Sequence, residues 1–181
     1  MADWDRPLSA HEQQVVARAR ATAWRLYAGE ATPHRSCGIA MAETFGVATP
    51  AYQALRKGGI TGLGPCGVAQ SGRMILGEIF GDPDPTGPVT DALRAAMLDY
   101  EARLPSAMDR RAAPGESQVC ADLTAQFNDF RSPARHDFCT HLAAGVAALL
   151  AEVVLRHGGT VPHLAPEPPP PPERPDATLD D

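Results

Sequence analysis

The sequence predicts an all-α fold, a single compact bundle of about seven helices with a glycine-rich loop before Cys66 and a disordered proline-rich tail. Three observations lead there. Apolar residues recur at threes and fours along most of the chain, and no stretch shows the alternation of a half-buried strand. Aromatics make up only 6% of the residues while alanine is abundant, which favours close-packed helices over a strand-rich core. Capping residues and glycines stand where each periodic stretch should start and stop.

Taken in order, Ser9-Ala10-His11-Glu12 reads as a capping box that opens a helix through Val15, Ala19, Ala23 and Leu26, closed by Gly29. A short second helix is expected from Cys37 to Phe45, capped by Ser36 and stopped by Gly46, and a third from Pro50 towards Gly58. Glycines at 58, 59, 62 and 64 then exclude a helix interior, since each costs about 1 kcal/mol relative to alanine. The helical pattern resumes after Cys66 and ends at Gly81. Asp82 to Pro88 is a loop, Val89 to Leu104 a further helix, and residues 105–115 a polar connection. Ser117 to Phe130 is expected to be helical and to carry Cys120. Ser132-Pro133, with proline at the first helical position, opens the longest helix, which bears Cys139 and ends at Gly158-Gly159.

A chain of 181 residues holds one domain with a substantial core, assigned to residues 1–160. Residues 161–181 are assigned to a disordered acidic tail: they contain eight prolines, five of them consecutive, and five acids against Arg174 alone. Nothing resembles a basic patch, so nucleic acid is not expected as a partner. The N-terminus has acids where a signal peptide needs a basic start, and the most apolar stretch, Ala143 to Leu155, is interrupted by Glu152 and falls short of a membrane span. The expected setting is a bacterial cytoplasm, where thiols start reduced.

The chemistry-bearing residues are Cys37, Cys66, Cys120 and Cys139. They are too few for a disulfide-stapled scaffold, and no two form a CxxC. A buried free cysteine is by default a small hydrophobe, a reading that suits Cys120 and Cys139 on helix faces. Cys37 and Cys66 fall at expected helix N-termini, where a thiolate is favoured, and His34 and Arg35 precede Cys37. Gly64 and Gly67 flank Cys66 closely and would let a ligand or another backbone approach it. His34, His136 and His141 lie near cysteines in sequence, with exposed surface histidine as the default for each. The glycine run lacks both a preceding strand and a following Gly-Lys-Ser/Thr, so it is not a phosphate loop.

Cys37, the stretch Cys66-Gly67-Val68-Ala69-Gln70-Ser71-Gly72 after a glycine-rich loop, Cys120 and Cys139 resemble the pattern of the C_GCAxxG_C_C family of redox-active proteins. Val68 stands where that motif has alanine, and Gly72 comes one place late. The resemblance covers about residues 20–157 and implies a helical fold with the four cysteines gathered at one site. A related domain is fused to c-type haem segments in split-Soret cytochromes; with no C-x-x-C-H here, no covalent haem is expected.

Three functions compete. The first is thiol–disulfide redox chemistry, with Cys66 attacking, Cys37 resolving, and Cys120 and Cys139 as a second pair. In the second the same four thiolates ligate an iron–sulfur cluster and the chain is an electron carrier. The third is a structural four-cysteine zinc module, for which spacings of 29, 54 and 19 residues lack the usual close pair. Thiol chemistry is favoured because no compact ligand motif is present. The redox partner, protein or small molecule, is left open, as is pairing of the alanine-rich helices in a homodimer.

Overall fold

Ser9 opens the first helix, α1 (Ala10–Ala28), through the expected capping box. Its Oγ accepts from the Glu12 amide at 3.2 Å, and Glu12 Oε2 accepts from the Ser9 amide at 2.8 Å. Gly29 closes the helix at φ 75°, a left-handed cap that suits glycine. Along α1 the buried residues Val15, Ala19, Ala23, Leu26 and Tyr27 form one stripe. The structure, a computed structural model, describes residues 5–164. These hold six α-helices and two short 3₁₀ helices, and no strand.

The stripe of α1 packs along the last and longest helix, α6 (Pro133–Arg156). Ser132 caps α6, accepting from the Arg135 amide at 3.2 Å, and Pro133 occupies its first position. Between them lie α2 (Cys37–Phe45), α3 (Gly67–Phe80), α4 (Asp91–Ala107) and the short α5 (Cys120–Thr124). Helices α1, α2, α3 and α4 all contact α6, which is therefore the axis of the core. Its second half is almost wholly buried, and alanines at 143, 147 and 151 allow neighbouring helices to approach closely. Fully burying side chains such as Val146 and Leu150 contributes roughly 1.5–3 kcal/mol each.

Four elements depart from expectation. Pro50–Leu55 is a 3₁₀ helix with proline at its start. Helix α4 starts after the Thr90 cap and continues through Pro105, which sits exposed in the last turn, to Ala107. The helix expected over 117–130 shrinks to five residues, because the Gln126 amide caps the Leu123 carbonyl at 2.8 Å and also bonds the Arg110 carbonyl, while Asp129 anchors a separate turn. The body also extends past residue 160. Val161 and Leu164 are buried, the latter at the end of a 3₁₀ turn over Pro162–Leu164, so the expected tail boundary falls four residues early. The rest of that tail lies outside the described residues.

At 24 residues α6 is also longer than the apolar segment read from sequence. By length and composition it could cross a membrane, but 72% of its most apolar window is buried inside the fold. That is the position of a core helix.

Candidate functional site: a four-cysteine cavity

The glycine-rich loop builds one wall of the site. Four successive residues, Lys57, Gly58, Gly59 and Ile60, have φ values of 48°, 56°, 70° and 69°, a single left-handed turn. For Lys57 and Ile60 this costs about 1–2 kcal/mol each. Hydrogen bonds hold the turn in place: the Gly62 amide donates to the Lys57 carbonyl at 2.8 Å, and the Gly64 amide to the Gly58 carbonyl at 3.0 Å. The loop is then zipped to the segment before α5. Cys66 donates its amide to Gln118 at 2.7 Å, while Cys120 and Ala121 donate theirs to Gly64 and Gly62 at 3.0 and 2.9 Å. Cys66 and Cys120 are thereby fixed on the two sides of one backbone junction.

Two glycines are required by close approach. A Cβ on Gly58 would lie 2.5 Å from Cys120 Cβ, and one on Gly67 only 2.2 Å from the Leu55 carbonyl oxygen and 3.3 Å from Cys37 Cβ. The neighbour that needs Gly67 is thus the chain's own backbone, and the same is true of Gly64, which packs on the Gly58 carbonyl.

The four cysteines come from four different helices. Cys37 is the first residue of α2, Cys66 caps α3, Cys120 is the first residue of α5, and Cys139 lies in the second turn of α6. All four line one cavity of about 170 Å³. Val68, Leu123, Phe138 and Leu142 give it an apolar floor, and Phe130 stands at the cationic side. There Lys57 Nζ and the Arg135 guanidinium lie 5.0 and 4.3 Å from the Phe130 ring centre. The cysteines are free thiols, and Cys37 Sγ donates to the Leu55 carbonyl at 3.9 Å.

Burial raises every one of these thiols. It pushes Cys66 far up, helped by charge on Cys37, and the Ala69 and Val68 amides at the α3 N-terminus pull only weakly the other way. Helix N-termini therefore do not give Cys66 the thiolate character expected from sequence. The magnitudes explain why: a helix end is worth about 0.3–1 kcal/mol, whereas burying an uncompensated charge costs several. Burial likewise raises Cys37 against the pull of the Lys57 amide, and raises Cys120 to about 11. Cys139 is raised by burial too, against the opposing charge of the Arg135 guanidinium. The Tyr27 hydroxyl also pulls the other way.

Arg135 and Tyr27 are the cavity-lining residues that sequence reasoning missed. Arg135 lies one helical turn before Cys139, an i, i+4 spacing that was readable, and Tyr27 had been absorbed into the core stripe of α1. In the fold Arg135 Nη1 donates to the Tyr27 hydroxyl at 3.4 Å and its Nε to the Phe130 carbonyl, so the two side chains are tied together at the cavity wall. Of the three histidines weighed, only His34 lines the cavity, with Nδ1 bonded to the Tyr27 carbonyl. His136 Nε2 bonds the Ala28 carbonyl at 3.0 Å, and exposed His141 bonds within its own helix.

Among the described residues no group of three or more histidines, cysteines or acids is arranged to hold a metal ion. The chain matches no protein-family model, no curated protein and no solved structure.

Proposed function

We propose that the protein is a cysteine-based redox protein whose four thiols exchange electrons with a disulfide substrate in the shared cavity. The observation that supports this reading is the lining: cysteines from four separate helices face one small, largely apolar space that also holds Arg135 and Tyr27. A core that merely needed small hydrophobes has no use for a guanidinium and a hydroxyl in its lining. The resemblance in cysteine order to the C_GCAxxG_C_C family points the same way.

In this reading Cys139, rather than Cys66, is the attacking thiol, because the Arg135 guanidinium and Tyr27 in the same cavity favour its thiolate. It attacks one substrate sulfur and releases the other half as a thiolate. Cys37, whose charge is felt at Cys66 and Cys120 alike, then loses its proton and attacks the Cys139 sulfur, releasing the second half. Two protein thiols become one disulfide, and the substrate gains two electrons.

Oxidation of the reduced protein followed by disulfide mapping under non-reducing conditions tests this. The expected product is an intramolecular bond between two of the four cysteines, with Cys139→Ser abolishing the first step. Protein that stays fully reduced, or forms only intermolecular bonds, removes the reading. A brown, iron-containing anaerobic preparation would replace it with the iron–sulfur carrier.

A further inference from the structure

Three cations face the cavity, Arg56, Lys57 and Arg135, and no acidic residue lines it. Neither Arg56 nor Lys57 has an ion-pair partner among the described residues. Ser36 adds a second, independent sign: it lines the same cavity, and its Oγ is shielded from solvent and has no hydrogen-bond partner. It stands at the N-cap of α2, yet caps nothing. A buried hydroxyl left unsatisfied costs about 1–3 kcal/mol, so a ligand oxygen accepting from it would recover that cost. The positive rim and the idle donor call for the same thing, an anionic oxygen group next to the sulfurs.

The cavity volume limits what carries that group. About 170 Å³, at roughly 10–15 Å³ for each water-sized occupant, holds on the order of a dozen non-hydrogen atoms. That is the size of a small molecule. From the cations, the unpartnered hydroxyl and this size we infer that the substrate is a low-molecular-weight disulfide bearing carboxylates. Its carboxylate rests between Arg56, Lys57 and Ser36 Oγ while its sulfur meets Cys139. The inference rests on the thiol-exchange reading and specifies its substrate class. The exchange balances as before: one substrate S–S bond breaks, one Cys–Cys bond forms, and two anionic thiols leave.

Two probe disulfides of similar size and opposite charge separate the possibilities, dianionic dithiodiglycolate and dicationic cystamine. Each is mixed with the reduced full-length protein at mildly alkaline pH. The rate of intramolecular disulfide formation is divided by the rate at which dithiothreitol, a neutral reference thiol, reduces the same probe. The normalised rate should favour dithiodiglycolate by about tenfold or more, the lower range of electrostatic steering, and the preference should shrink as salt rises. The double variant Arg56→Gln/Lys57→Gln, both positions being exposed, should keep the melting temperature and lose most of the preference. Ser36→Ala should slow dithiodiglycolate alone. Equal rates, a cystamine preference, or an unchanged ratio in the double variant overturns the anionic substrate. If neither probe yields an intramolecular disulfide, it is the thiol-exchange reading itself that fails.

Discussion

Helix α6 passes through two regions that solve opposite problems. From Ala143 onward it is a dry seam: Val146, Ala147, Leu150 and Val153 are fully buried against neighbouring helices, and the energy comes from apolar area alone. In its first turns the same helix borders a cavity, and the residues there are Arg135, Phe138, Cys139 and Leu142. Around that cavity the chain accepts two left-handed non-glycine residues, an unpartnered serine hydroxyl and four thiols whose ionisation burial opposes. Stability is gathered at one end of the rod and expended at the other.

Substitutions on the two sides should differ in kind. The largest effect is expected from Gly67→Ala, which drives a Cβ to 2.2 Å from the Leu55 carbonyl oxygen, a backbone atom with no side chain to yield. Urea denaturation should show a loss of about 4 kcal/mol or more, or no folded protein at all. A loss below about 1 kcal/mol would show that the loop moves freely and the cavity wall is soft. In the seam, Leu150→Ala should cost about 2–5 kcal/mol, while Phe130→Ala, half-buried at the cavity, should cost less than half as much. Equal losses would erase the contrast between the regions.

The pH dependence separates them further, since the seam residues named above do not titrate. A thiol whose folded value is raised is ionised first in the unfolded chain. Its stabilising contribution is complete below the ordinary value of 9.0 and is lost as pH climbs to the folded value, about 11 for Cys120. Urea midpoints should therefore fall across that window, and Cys120→Ser should flatten the fall. Alkylation of all four cysteines should be slow at neutral pH, since burial raises each thiol. The smallest effect should come from Gly77→Ala in α3. An added Cβ there meets open space, and the helix should gain about 0.5–1 kcal/mol.

The helices were legible because caps and periodicity are local. Ser9, Ser132, Gly29 and Gly46 stand where the sequence puts them and do what their chemistry requires. The short α5 was not legible, because what ends it is a glutamine side chain reaching a carbonyl that belongs to another segment. At the site, the four cysteines were readable as candidates, but their ranking was not. A helix N-terminus is visible in sequence; the burial that outweighs it at Cys66 depends on walls contributed by α1, α5 and α6. The loop glycines were readable as places of close approach, though the approaching group proved to be Leu55, from just upstream in the same chain.

Helix α6 carries a final consequence for how this chain can vary. Cys139 and the seam share one rigid rod, and each residue along it advances about 100° around the axis. Adding or removing a single residue between Leu142 and Ala143 would leave both segments helical, yet swing the sulfur a quarter-turn out of phase with the packing that orients it. Length changes should be confined to places like residues 82–88, where no such angular constraint applies.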